Sequence, residues 1–121
     1  MPATDGSTLD PVQVDLALVG FGHVARRFAR LLEERQDRLR SENGLVARVV
    51  GIATARHGGA FVPGGLDVAG ALAAVEAGEP LDVLHDRRTG LLSADGFDLI
   101  ARQARCASDP RAPRVIVETT L

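Results

Sequence analysis

The stretch Val14-Asp15-Leu16-Ala17-Leu18-Val19-Gly20-Phe21-Gly22-His23-Val24-Ala25 decides the fold. An apolar run stops at two glycines one residue apart, and a helical pattern begins at once. Apart from Asp15 the run is continuous rather than alternating, which reads as a strand covered on both faces. Gly20 supplies the backbone angles of a sharp turn that a Cβ would forbid. Gly22 has no side chain, so another group can come close to the main chain. The unit is a strand, a tight turn and a helix.

The start of that helix offers unpaired N–H groups and a partial positive charge to any anion above Gly22. Ala25 takes the third position of the pattern G-x-G-x-x-G/A, where a small residue lets helix and strand pack closely. This is the turn that holds the pyrophosphate of a dinucleotide, with Gly20, Phe21, Gly22, His23 and Val24 as candidate contacts. The same turn occurs in other α/β proteins, with flavin, S-adenosylmethionine or no nucleotide as the alternatives.

The 121 residues are enough for one domain with a core and few for a complete dehydrogenase. Composition is that of a globular protein, 45% hydrophobic and 25% charged. With a formal net charge of −2 and dispersed histidines, no basic face points to nucleic acid. No apolar run approaches the roughly 20 residues that span a bilayer. The first residues lack the charged-then-apolar order of a secretory signal. Cys106 has no disulfide partner and no zinc-ligand spacing, and reads as a small residue on a helix. A reducing, cytoplasmic setting is expected. All 14 basic residues are arginine.

Residues 1–12 lack periodicity and are expected to form a flexible leader, with the domain over 13–121. From His23 to about Glu42 the pattern is helical, with Val24, Phe28, Leu31, Leu32 and Leu39 on one stripe and Ala25 and Ala29 beside it. The charged face is solvated, with Glu34 and Arg38 as an i,i+4 pair. Asn43-Gly44 ends the helix. A second strand, Val46–Ala53, leads into Thr54-Ala55-Arg56-His57.

In dinucleotide folds an acidic residue at this strand end holds the ribose of NAD, and an arginine accommodates the 2′-phosphate of NADP. Here Arg56 stands there and no carboxylate does, so NADP is favoured, with NAD as the other candidate. A solvent-facing loop arginine is the alternative for Arg56.

Gly58 to Gly65 reads as an irregular loop. Asp67 caps a helix through Ala77 whose stripe is Val68, Ala71, Leu72 and Val75. Gly78 and Pro80 end it. Leu81–Asp86 reads as a short extended piece, with His85 and Asp86 in a surface loop rather than a catalytic or metal site. Ser93 caps a helix to about Cys106, with Asp95 and Asp98 near its start and Phe97, Ile100, Ala101 and Ala104 inward. After the turn at Ser108–Pro113, Arg114–Thr120 has the signature of a buried parallel strand. A right-handed crossover places it beside the first strand, opposite the second. The glycine turn and Glu118–Thr120 then share the crevice where strand order reverses. The fold class is α/β, a Rossmann-like parallel sheet with flanking helices, truncated after the third long strand.

With these pieces assembled, the sequence resembles the N-terminal coenzyme domain of homoserine dehydrogenase. The matching stretches are Leu18-Val19-Gly20-Phe21-Gly22-His23-Val24-Ala25, Val50-Gly51-Ile52-Ala53-Thr54-Ala55-Arg56 and Val115-Ile116-Val117-Glu118-Thr119-Thr120. The glycine turn is common to many dehydrogenases; the Glu-Thr-Thr and Gly-Ile-Ala-Thr strand ends are more telling. The resemblance implies NAD(P)-dependent interconversion of L-homoserine and aspartate 4-semialdehyde, in the biosynthesis of threonine and methionine. It also implies that Thr119 and Thr120 lie near the nicotinamide ribose and that Thr54 and Glu118 belong to the cofactor site. Ala25 departs from the family's third glycine, and His23 stands at a variable position. The family's proton-relaying lysine and its substrate and dimerisation region are not in this sequence, so the chain alone is expected to be inactive. A stand-alone NAD(P) sensor without catalysis is the alternative. An exposed Val115–Val117 edge leads us to expect a homo-oligomer or a tendency to aggregate.

Overall fold

Strand β1 (Val12–Val19) sits in the middle of the sheet, and everything else is placed by its two edges. The computed structural model describes residues 11–90, 92, 96–105 and 111–119. β1 starts two residues earlier than its apolar run implies, because Val12 N–H reaches the Gly44 carbonyl at 2.8 Å. The expected leader thus gives up Val12 to the sheet, and its first ten residues lie outside the described residues.

Helix α1 (His23–Asn43) ends as the sequence predicts: Gly44 adopts φ 59° and donates back to the Arg40 and Leu39 carbonyls. Its inward stripe is rotated from the expected one. Ala25 and Ala29 are fully buried, Phe28 and Leu32 pack beside them, and Val24 is 71% exposed. Two alanines on the contact line let the helix lie close to the sheet, which turns Val24 outward. Arg38 pairs with Glu42 at 2.9 Å, not with Glu34.

Strand β2 (Leu45–Ala53) runs parallel to β1. Its register slips once, from Leu16 opposite Val49 to Ala17 opposite Gly51, which leaves Val50 as the extra residue of a bulge. The Gly58–Gly65 segment is only in part the irregular loop the glycines predict. Gly59–Phe61 forms a short strand, β3, antiparallel to the end of β2. A Cβ at Gly59 would lie 2.8 Å from the Ile52 carbonyl oxygen, so the close pairing itself requires glycine there.

Helix α2 (Val68–Glu76) follows the sequence reading closely. The Asp67 carboxylate accepts from Gly70 N–H, and Val68, Ala71, Leu72 and Val75 are the buried residues. An Arg30–Glu76 ion pair joins α2 to α1. The next segment is not extended: Asp82–Leu84 and Arg87–Thr89 are 3-10 turns.

Helix α3 (Gly96–Arg105) presents the face the sequence did not assign. Leu99, Arg102 and Gln103 are buried, whereas Ile100, Ala101 and Ala104 are exposed. The reason is polar satisfaction. Gln103 Nε2 donates to the Asp15 carbonyl at 3.1 Å, and Arg102 Nη1 donates to the Gly90 carbonyl at 2.8 Å. Ser93, Asp95, the Phe97 side chain and Cys106 lie outside the described residues.

Strand β4 (Arg114–Glu118) pairs parallel with β1 on the side away from β2, as the right-handed crossover predicts. The sheet order is β3-β2-β1-β4. β4 is an edge rather than a buried strand, with Val115 42% and Ile116 36% exposed. Leu16, Leu18, Val49 and Ile52 form one core with α1 and α2, and Ala17, Val50, Ala53 and Phe61 form another with Leu99. The chain is a small α/β domain with a four-stranded, mostly parallel sheet flanked by helices, consistent with a generic Rossmann-like architecture. Among the described residues no helix is long and apolar enough to cross a membrane.

Candidate functional site

Two backbone bonds gather the carboxyl ends of the three parallel strands. Gly20 N–H donates to the Ala53 carbonyl at 2.8 Å, and Thr119 N–H donates to the Val19 carbonyl at 3.0 Å. Strand order reverses across β1, with β2 on one side and β4 on the other, and the crevice at such a point is where open α/β sheets hold ligands.

Gly20 turns the chain out of β1 at φ 98°, in the region that favours glycine. The Phe21 side chain then enters the core, so this candidate offers only its backbone to a ligand. Gly22 is the N-cap of α1 with φ −82° and ψ −160°, angles open to any residue. A Cβ built there meets nothing beyond its chain neighbours within 4 Å, so the main chain of the turn is open above Gly22.

No side chain caps α1, and its first turn carries no acid. The first helical bond runs from Arg26 N–H to the Gly22 carbonyl at 2.9 Å, so the N–H groups just before Arg26 have no acceptor within the helix. His23 and Val24 are exposed beside them.

Arg26, which the sequence places on a solvated face, belongs to this end of the helix. Its Nη2 lies 3.5 Å from His23 Nδ1, and its buried Nε has no hydrogen-bond partner. A cation in the first turn opposes the helix dipole, and an anion bound there relieves that repulsion. The signal in the sequence was its place one turn after the glycines, hidden by the neighbouring Arg27 and Arg30.

The other candidates divide. Thr54 stands at the end of β2 but is engaged: its hydroxyl donates to the Gly58 carbonyl at 2.7 Å and accepts from His57 N–H at 2.7 Å. It shapes the loop rather than meeting a ligand. That loop leaves Arg56 exposed at the same edge. Thr119 brings a buried Oγ1 without a partner to the end of β4, beside exposed Glu118. Thr120 lies outside the described residues.

A separate concavity of about 220 Å³ lies between the second half of α1 and the first half of β2, lined by Leu32, Gln36, Leu39, Val46 and Leu66. It is far along both elements from the glycine turn, and the charged residues Glu33, Asp37, Arg40 and Arg48 also line it.

His85 is a structural histidine. A backbone N–H can only donate, so the 2.9 Å bond from Phe61 N–H identifies Nδ1 as the bare nitrogen. Nε2 then carries the proton and donates to the Gly90 carbonyl at 2.7 Å. His85→Ala removes the acceptor for a β3 amide and is expected to cost about 1–3 kcal/mol in urea unfolding. A variant within 0.5 kcal/mol of the wild type, at about the noise of a surface substitution, excludes that role.

Asp86 caps the following turn through Arg88 N–H, and the Arg88 guanidinium hydrogen-bonded to it holds its carboxyl below the usual carboxylate range. The unfolded chain therefore binds this proton more readily than the folded one. The stabilisation is present above about pH 4 and is lost as pH falls through the lowered value. Asp86→Asn is expected to flatten the acid side of the stability profile, measured by thermal melts from pH 6 to 2. Among the described residues, no three His, Cys, Asp or Glu side chains group as a metal site requires. Comparison with protein-family models, with curated proteins and with solved structures returned no match.

Proposed function

We propose that this chain binds a nicotinamide dinucleotide, NADP in preference to NAD, as the coenzyme-holding part of an oxidoreductase similar to homoserine dehydrogenase. The observation that carries the reading is the open space above Gly22, at the uncapped start of α1 and at the reversal of strand order. The backbone of Gly20–Val24 would take the pyrophosphate, with the Arg26 guanidinium adding charge. Arg56 would take the 2′-phosphate, and the unpartnered Thr119 hydroxyl would face the nicotinamide end. When bound, the nicotinamide supplies or accepts hydride, here for homoserine and aspartate 4-semialdehyde.

The sequence contains no lysine to take the hydroxyl proton, so this reading gives the chain binding rather than turnover. The same lack of a lysine also suits a second reading, an NAD(P) sensor without catalysis. The two share the ligand and differ in whether further protein completes the site.

Calorimetric titration with NADPH and NADH tests the proposal. Tighter binding of NADPH is expected, and Arg56→Ala should weaken NADPH by about 10- to 100-fold while leaving NADH unchanged. Equal binding of both cofactors removes Arg56 from the site. Binding of neither by folded protein rejects the proposal.

A further inference from the structure

The concavity between the second half of α1 and the first half of β2 is small, at about 220 Å³. Sites for drug-sized molecules run to roughly 300–1,000 Å³, so its occupant has few atoms. Leu32, Leu39, Val46, Leu66 and Val68 give it an apolar lining, which favours an apolar group out of water.

Its rim carries charges of both signs. Glu33, Asp37 and Arg40 lie at i, i+4 and i+7 along α1, and all three are exposed. Glu33 is engaged by Gln36, whose Nε2 donates to its Oε2 at 2.7 Å. On the strand side Arg48 is held by buried Asp15 at 2.8 Å. Asp37 and Arg40 remain. Among the described residues neither of these side chains has a hydrogen-bond or ion-pair partner, and they do not pair with each other. Side chains three apart on a helix are neighbours, with about 5–6 Å between Cβ atoms, so both can close on one small molecule.

We propose that this concavity binds a free aliphatic α-amino acid. The Asp37 carboxylate meets its ammonium, the Arg40 guanidinium meets its carboxylate, and its side chain enters between Leu32, Leu39 and Leu66. The two charges of an α-amino acid flank a single carbon, a separation that two residues on one turn of helix can answer together. The planar fork of an arginine donates two parallel bonds to a carboxylate, and the ammonium donates to Asp37. A ligand of one sign leaves one of the two rim charges unanswered, whereas a zwitterion answers both. The site lies at the amino end of β2, and Arg56 follows its carboxyl end. Its occupation therefore needs no bound dinucleotide.

Titration of the full chain with L-leucine, followed by amide chemical shifts in NMR, tests it. Saturable shifts are expected at residues 46–49 and 66–68, with a dissociation constant of about 0.1–10 mM. Isocaproate lacks the ammonium, isoamylamine the carboxylate and glycine the side chain, and each should bind about tenfold more weakly or worse. Asp37→Asn and Arg40→Gln, at exposed positions, should each weaken leucine by about tenfold and leave the fold intact by circular dichroism. The three truncated ligands decide the matter on the wild type should a variant fail to fold. Leucine that moves no amide of this concavity at concentrations well above that range overturns the proposal. So does isocaproate or isoamylamine binding as tightly as leucine, or leucine binding indifferent to both substitutions.

Discussion

Arg48→Met is expected to destabilise this domain by about 3–5 kcal/mol, because it strands a buried carboxylate. Asp15 is 1% exposed in the central strand, and Arg48 is its register partner across β2. The Arg48 Nε donates to Asp15 Oδ1 at 2.8 Å. The guanidinium also reaches the Gly64 carbonyl at 3.3 Å, and Gln13, with its amide oxygen turned toward it, accepts at 2.7 Å. Removing the cation leaves Asp15 with neither water nor a counter-charge. For a domain of this size the loss lowers the melting temperature by about 10–20 °C.

The double variant Asp15→Leu/Arg48→Met should recover most of that loss, since apolar replacement of a whole buried pair is often neutral. The Gln103 bond survives in it, because Gln103 donates to the Asp15 backbone carbonyl. Urea unfolding of wild type, both single variants and the double closes the cycle. A single variant within about 1 kcal/mol of the wild type would mean that solvent reaches the carboxylate and that the pair is not structural.

Asp15 and Arg48 also mark where the sequence stops being legible. Each is visible as an interruption of an apolar strand, but their pairing depends on register between residues 33 positions apart, which local pattern cannot supply. What was legible is local in origin. The β1–turn–α1 unit, the Gly44 stop and the Asp67 cap each declare themselves within a few residues. β3 was missed because Gly58 and Gly59 argue for a loop, and only the ladder offered by β2 makes a strand of Gly59–Phe61. The inward face of α3 was misread because hydrophobic periodicity assumes an apolar floor. Beneath this helix lie backbone carbonyls that Arg102 and Gln103 satisfy.

The candidate site shows the same division. The glycine turn follows from residue type and position alone. The engagement of Thr54 depends on the loop closing at Gly58, with φ 69°, and the burial of Phe21 depends on which face α1 covers. Neither is written in a short stretch of sequence.

Gly22→Asp should leave the fold intact and abolish dinucleotide binding, and that combination separates a ligand cradle from a merely structural turn. At φ −82° an aspartate is unstrained, and its Cβ enters open space. An acidic residue at the start of a helix is even favourable, by about 0.3–1 kcal/mol, because it caps the free N–H groups and answers the dipole. The melting temperature should therefore hold or rise slightly. The same carboxylate occupies the donors meant for the pyrophosphate and repels it. One like-charge contact at about 4 Å costs roughly 4 kcal/mol at an effective dielectric near 20, or about 1000-fold in affinity. Gly20→Ala makes the opposite control. Its φ of 98° strains any side chain, so stability should fall along with binding. Paired thermal melts and NADPH titrations of the two variants read both quantities. NADPH affinity unchanged in stable Gly22→Asp protein would place the cofactor elsewhere and leave the turn a purely structural device.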